Sequence, residues 1–318
     1  MTFKVAFIGA GYMAEEHLKV FSDQPEFEIT GIYSRSIMKA EQLAEKYHVK
    51  FIADSINNLF KNGKPELLVI CVPELELWDV FLDASSYPWK MLIEKPVGIN
   101  LDEAHKFLSQ ANENDLEVYV ALNRRHYEST RMALDKLKSD SGNRFVHVID
   151  QEDLLAAKLS GQPEKVLNNW MYANSIHVID LFSIFCRGNA DSVKTIQTKL
   201  NASSKVISSK IQFDSGDFGI YNCIWNAPGP WQATITTEKS RYELRPLEKI
   251  TVQEFPSRSS KLIDISDIDQ RYKPGLFEQS SQAILMLKQQ AHTLPSLDET
   301  MRTMSLIERI YFDQTKNN

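Results

Sequence analysis

Along the first third of the chain, short apolar runs alternate with segments whose apolar residues recur at helical spacing. Strands are predicted at residues 4–8, 28–33, 67–72, 91–93 and 117–121, and helices near 13–21, 39–47, 75–84 and 101–114. Strands apolar on both faces and separated by helices belong in a parallel sheet covered on both sides. Start signals agree: Asp54-Ser55 opens one helix, and Asn100 precedes Leu101-Asp102-Glu103. After Arg124 the texture changes. A helix is predicted over 129–138 and a strand over 145–150, and a loop-rich stretch then leads to a helix at 176–185. From 193 to 252, β-rich runs are broken by turn signals such as Asp214-Ser215-Gly216 and Pro228-Gly229-Pro230, as in an antiparallel sheet. Two helices close the chain, the last with Leu297, Met301, Met304, Ile307 and Tyr311 on one stripe. The expectation is an α/β chain in two parts. A doubly wound parallel sheet spans residues 1–123, and an α+β domain with a largely antiparallel open sheet spans 124–318.

Composition narrows the class without naming a chemistry. The 318 residues exceed one typical domain. A net charge of -6 argues against nucleic acid or an anionic membrane as partner. No apolar run approaches the roughly 20 residues of a membrane helix, and Met1-Thr2-Phe3-Lys4-Val5 enters a strand with no leader pattern. Cys71, Cys186 and Cys223 are scattered and read as reduced core thiols, so a cytoplasmic location is expected. No HExxH, CxxC pair or clustered carboxylate set points to a metal, and no GxSxG to a hydrolase.

Gly9-Ala10-Gly11-Tyr12-Met13-Ala14 follows the first strand and opens the first helix, a GxGxxA form of the dinucleotide fingerprint. The first glycine permits the tight turn, and the second lets a pyrophosphate approach the backbone. The third small residue lets helix and strand pack closely. The helix start then offers N–H groups and partial positive charge to phosphate. This marks residues 1–123 as an NAD(P)-binding Rossmann domain. The second strand ends in Ser34-Arg35-Ser36, where an NAD site usually has an acid. An arginine and two hydroxyls suit a 2′-phosphate, so NADP(H) is favoured over NAD(H).

Glu94-Lys95-Pro96 directly follows the strand at 91–93, which puts it at the carboxyl edge of the sheet, where ligands bind. With the extended fingerprint Gly9 to His17, Asn123-Arg124-Arg125, the run Ser175-Ile176-His177-Val178-Ile179-Asp180-Leu181 and the closing Pro295-Ser296-Leu297-Asp298-Glu299, the chain resembles the Gfo/Idh/MocA oxidoreductases. The resemblance implies hydride transfer between a nicotinamide and a hydroxyl or keto carbon of a sugar, nucleotide sugar or cyclitol. It places Lys95 near the reacting oxygen, with Val72, Pro73, Glu94 and Lys95 joining the cofactor site. It also implies a homodimer or homotetramer formed through the sheet of the second domain. Independently, removing a hydride from an alcohol needs a group to take the proton, and His177 has a suitable ordinary pKa. Asp180, three residues on, faces the same way. Arg124 and Arg125 are candidates to clamp an anionic group of substrate, and Trp170, with Trp225 and Trp231, offers aromatic faces to a sugar.

Two positions depart from the family pattern. The Asp expected four residues before the motif histidine is Ala173, flanked by Tyr172 and Asn174. Either neighbour is a candidate to meet the substrate, Tyr172 alone as a proton exchanger. After the fourth sheet strand, Val72-Pro73-Glu74-Leu75-Glu76-Leu77 puts Leu77 where the family tends to carry histidine. These departures leave two alternatives open: an imine or tetrapyrrole-type reductase on the same scaffold, and an NADP(H)-binding regulator that has lost catalysis.

Overall fold

The computed structural model describes residues 2–312. In chain order its first elements are β1 (Phe3–Ile8), α1 (Tyr12–Ser22), β2 (Phe27–Tyr33), α2 (Ile37–Lys46), β3 (Ile52–Ala53), α3 (Ile56–Asn58), β4 (Leu67–Ile70), α4 (Leu77–Ala84), β5 (Lys90–Glu94), α5 (Leu101–Glu113) and β6 (Val118–Ala121). These strands form one six-stranded sheet in the order β3-β2-β1-β4-β5-β6, all parallel. Order 3-2-1-4-5-6 is the doubly wound nucleotide-binding topology, with its switch point between β1 and β4. Val5, Ala6, Phe7 and Ile8 of β1 and Leu67 to Ile70 of β4 are all buried, as central strands covered on both faces require. The sequence pattern does not predict β3, since two residues of edge strand carry too little pattern to read, whereas the Asp54-Ser55 start signal falls on α3, whose N-cap is Ser55.

The chain continues through α6 (Glu128–Leu137), β7 (Phe145–Glu152), α7 (Leu154–Leu159), α8 (Glu164–Leu167) and α9 (Ile176–Phe185). Then come β8 (Ala190–Lys199), β9 (Lys205–Phe213), β10 (Phe218–Trp225), β11 (Gln232–Thr236), β12 (Ser240–Leu244), β13 (Thr251–Glu254) and β14 (Lys261–Leu262). The last helices are α10 (Ile268–Arg271), α11 (Leu276–Leu287) and α12 (Leu297–Tyr311). The eight strands make a second sheet in the order β14-β13-β12-β11-β7-β10-β9-β8. It is antiparallel at every pairing except β7 with β10. Its organising contact is α9 against β7. Ile176, Val178, Ile179, Leu181, Phe182 and Phe185 are all buried on that helix, beside Val146 and Val148 of the strand.

The chain groups into two compact units. One holds the described residues up to Leu122 together with Gln270–Met301; the other holds Asn123–Asp269 and the described residues from Arg302 onward. The first crossing falls where the sequence pattern changes. The return of 270–301 to the first unit departs from the contiguous division at 123, and its causes are long-range. The Gln24 amide donates to the Phe277 carbonyl and to Ser280 Oγ, Tyr272 donates to Asp23, and Lys19 reaches the Arg271 carbonyl. Ser296 bridges to Tyr119 beside the β6 edge. On α12, Leu297, Met301, Met304 and Ile307 are buried, as their stripe predicts. No helix among the described residues is long and apolar enough to cross a membrane.

Candidate functional site

In the first unit the β1–α1 turn is built from backbone. Gly9 sits at φ +110°, and a Cβ there would lie 2.0 Å from the Cys71 carbonyl oxygen. Only glycine fits, because β4 must pass this close to β1. Gly11 differs: its φ is -92°, and a Cβ built on it meets nothing within 4 Å. The space above Gly11 is open, and no side chain caps the first turn of α1. An uncapped helix start with an open approach is the cradle a diphosphate needs. A cavity of about 660 Å³ lies over it, lined by Gly9, Ala10, Gly11, Ser34, Arg35, Ser36, Val72 and Pro73, all expected from the sequence. Tyr12, also expected there, is exposed and stacks under Lys273, and Met13 is half-buried in α1. Neither lines the cavity.

Around the end of β2 the structure adds what sequence spacing does not show. Lys39, on α2 beyond Ser36, joins Arg35 in the cavity wall. Glu76, Asp79 and Asp83 approach from the α4 side, and Glu76 forms an ion pair with the exposed Arg35 guanidinium. The second strand ends without an acid in sequence, but the fold brings Glu76 onto Arg35, with Asp79 and Asp83 also in the cavity wall.

Glu94 ends β5 and does not face this cavity. Its Oε1 lies 2.8 Å from His17 Nε2, with both side chains buried. The expected contact of Glu94 with cofactor thus becomes a strut between β5 and α1. Cys71 lies alongside, and the ligand atoms of His17, Cys71 and Glu94 fall within 4.8 Å of one another. The sequence points to no metal, and this trio, distant in the chain, is a grouping only the fold reveals. Burial and then the Glu94 charge push the Cys71 thiol well above its usual pKa, so it stays protonated, a poor ligand. Lys95 follows the strut at the carboxyl edge of the sheet and is half-buried.

In the second unit the residues of the histidine motif separate. The Met171–Ser175 turn is a π-helix, which shifts the side-chain phase by one residue relative to α9. Tyr172 is fully buried as a result, donating to Glu308 and stacking on Phe312. A phenol with no exposed surface cannot meet a substrate, so the expected proton exchange by Tyr172 is set aside. His177 is buried in the first turn of α9. Asp180 holds Arg125 bidentately, at 2.5 and 2.8 Å, and also accepts from Thr303 at 2.8 Å. Both were expected to meet substrate; instead they satisfy each other, as a buried ion pair must. The Arg124 guanidinium lies 4.4 Å from the ring centre of Trp231, and burial lowers its pKa. The paired-arginine clamp is therefore not formed by Arg125, and Arg124 backs an aromatic ring. Nearby His126 is buried, and desolvation ahead of the charges of Arg125 and Arg131 pushes its pKa down to about 3.

What sequence reading misses is Glu152. It sits on β7 with 1% of its surface exposed and accepts from Trp170 Nε1 at 2.6 Å, Asn174 Nδ2 at 2.8 Å and Ser175 Oγ at 3.0 Å. Asp150, two residues earlier on the same face, accepts from Tyr221 at 2.7 Å. Burial, with the Asp150 charge, raises Glu152 well above the carboxylate range, and burial raises Asp150. The available signal is the strand's parity: Asp150 and Glu152 continue the inward series of Val146 and Val148. Trp170 and Asn174, both expected to bind substrate, are gathered on this carboxylate.

Residues 3–122 match the family model described as the GFO_IDH_MocA oxidoreductase family, NAD-binding Rossmann fold. A 4-carboxy-2-hydroxymuconate-6-semialdehyde dehydrogenase from Sphingobium sp. is 19% identical over 234 residues, covering 71% of this chain and 73% of that protein. Among solved structures, a levoglucosan dehydrogenase in complex with NADH superposes with a TM-score of 0.82 at 13% identity, over 99% of this chain and 98% of the other. A UDP-N-acetylglucosamine 3-dehydrogenase from Acidithiobacillus ferrooxidans gives 0.78 at 13%, over 98% and 97%. At such identities the structural likeness speaks for the fold. The match to the Gfo/Idh/MocA oxidoreductase family model thus falls on the nucleotide-binding unit, where the glycine cradle lies.

Proposed function

We propose that the protein transfers a hydride between a nicotinamide dinucleotide, NADP(H) in preference to NAD(H), and a hydroxyl or keto carbon of a small carbohydrate or cyclitol. The observation that carries this reading is the glycine cradle, closed at Gly9 and open at Gly11, on a sheet ordered for nucleotide binding. Relatives named as dehydrogenases of levoglucosan and of a sugar nucleotide support the substrate class. Ala10 and Gly11 hold the diphosphate through backbone N–H groups, Gly9 makes the turn with its own N–H given to the Tyr33 carbonyl, and Val72 and Pro73 wall the groove. Arg35 and Lys39, with Ser34 and Ser36, favour a 2′-phosphate, which must compete with Glu76 for Arg35. When bound, the nicotinamide supplies the two-electron chemistry.

Lys95 orients the reacting oxygen, and the Glu94–His17 strut fixes the end of the strand that presents it. His177 serves as acid or base for the substrate proton. Assembly as a homodimer or homotetramer through the second sheet belongs to the same reading, and sedimentation checks it. The direct test is Lys95→Met. With NADPH binding unchanged, turnover should fall by about 10²–10⁴-fold; normal turnover would remove Lys95 from the chemistry. Tight binding of NADPH with no turnover across sugars, cyclitols and imines would favour the regulator instead.

A further inference from the structure

Arg124 carries donors that the fold leaves unused. It stands in the turn Asn123–His126 ahead of α6, burial lowers its pKa, and its guanidinium lies 4.4 Å from the ring centre of Trp231. That stacking uses the face of the cation, whereas its N–H groups radiate in the guanidinium plane. Among the described residues none of these donors has a hydrogen-bond or ion-pair partner, and Nε is fully buried. Glu248, Asp150 and Glu152 act on the charge from beyond ion-pair distance. An unmet cation at this depth is destabilising, and a ligand that brings acceptors offsets it.

A cavity of about 300 Å³ adjoins it, walled also by Tyr127, Trp231, Arg245 and Glu248. Tyr127 is 5% exposed, and its hydroxyl makes no hydrogen bond among the described residues. Burial pushes the phenol up, so it stays protonated and can donate. Arg245, just past β12, is exposed and likewise has no hydrogen-bond or ion-pair partner among the described residues. Glu248 is the one acid among the lining residues, and it pairs with neither arginine. The wall is held from behind: Ser129 of α6 donates to the Leu247 carbonyl, and Trp231 Nε1 donates to the Gln151 carbonyl at 2.9 Å. Two guanidiniums and a phenol therefore meet at a cavity that offers them one carboxylate. Donors exceed acceptors and positive charge exceeds negative, which is the setting for an oxyanion.

We propose that this cavity seats an oxyanion, a phosphate or a carboxylate, carried on the sugar or cyclitol that the protein acts on. Arg124 and Arg245 grip it through their guanidinium N–H groups, and Tyr127 donates a further contact. The proposal rests on the hydride-transfer reading above and deepens it, narrowing the substrate to an acidic derivative, a sugar phosphate or a sugar acid. Phosphate and carboxylate share the chemistry, because a planar guanidinium meets either with two parallel N–H···O bonds. The arginine pair is also not the one that adjacency in the chain suggests. Arg125 is committed to Asp180, and the second arginine comes from the end of β12.

The test titrates the full chain, free of nucleotide, by calorimetry with D-glucose 6-phosphate, D-glucuronate, D-glucose and inorganic phosphate. NADPH is titrated into the same preparation, so that loss of nucleotide binding and loss of this seat are told apart. At least one acidic sugar should bind about tenfold or more tightly than D-glucose, the difference expected for a hydrogen bond to a charged group. Which of the two acidic sugars leads separates a phosphate from a carboxylate. Arg245→Gln changes an exposed side chain, so it should fold, keep its NADPH affinity and bind the leading acidic sugar about tenfold more weakly. Tyr127→Phe should weaken it less, and Glu248→Gln, which removes the opposing charge, should strengthen it. Inorganic phosphate should follow the same ranking across the variants. The proposal is overturned if neither acidic sugar binds, if D-glucose binds as tightly as the better of them, or if Arg245→Gln binds that sugar as tightly as the wild type. With NADPH binding intact, each of these results strikes the seat and leaves the nucleotide reading standing.

Discussion

The glycine cradle and the Glu152 carboxylate pocket are built from opposite materials. The cradle is made of backbone: two glycines, a helix start and the ends of apolar strands. The pocket is made of side chains: one carboxylate buried on an inward strand face and held by an indole, an amide and a hydroxyl. A backbone site depends on shape, so one methyl group in the wrong place destroys it. A side-chain site depends on charge and hydrogen bonds, so it responds to pH and tolerates changes of shape around it.

The sharpest break falls on the cradle. Gly9→Ala puts a methyl 2.0 Å from the Cys71 carbonyl at a φ of +110°. It should cost more than about 4 kcal/mol, the range reserved for backbone strain and overpacking, seen as loss of soluble protein or a steep fall in melting temperature. Behind it comes Asp180→Ala in the second unit, which leaves the largely buried Arg125 without its bidentate partner. Breaking such a pair costs about 3–5 kcal/mol, and denaturant unfolding should report it. A surface-like loss under about 1 kcal/mol would mean that Arg125 and Asp180 are available to substrate, as the sequence suggests.

A smaller effect, of opposite sign, belongs to Glu152. Its pKa is raised in the fold, so the folded state binds more protons than the unfolded chain above the ordinary carboxylate value. Stability is then lost as pH climbs toward the raised value. Glu152→Gln does not titrate there. Its stability relative to wild type should rise as pH climbs from the ordinary carboxylate value toward the raised one, by about 1 kcal/mol for each pH unit crossed, in denaturant titrations run across that range. A gap independent of pH would show that Glu152 is ionised at no cost.

The same division explains what can be read from the chain. The parallel sheet is legible because buried strands are uninterrupted apolar runs. The Gly9–Ala14 turn is legible because its chemistry lies in consecutive residues. α9 is legible over 176–185, where the structure has it, because every position but Ser183 and Ile184 is inward and its end is marked by Cys186 and Gly188. What escapes is what depends on contacts across the chain. Glu152 falls beyond the apolar part of its strand, and an acid at an inward position looks like a strand ending. Tyr172 is a candidate only as the neighbour of Ala173, where the family pattern has an Asp, and the π turn there leaves it buried. Glu76 meets Arg35 through the packing of α4, and residues 270–301 join the first unit through Gln24 and Asp23. None of these has a local signature.

The central claim is that a dinucleotide diphosphate rests on the backbone at Gly11, and titration of wild type and Gly11→Val with NADPH and NADH tests it most directly. Since a Cβ at Gly11 meets no protein atom within 4 Å, the variant should melt with the wild type. Its nucleotide affinity should nevertheless fall at least tenfold, with NADPH the tighter ligand of the wild type. Equal nucleotide binding by the two proteins, or none by the wild type, would contradict the account.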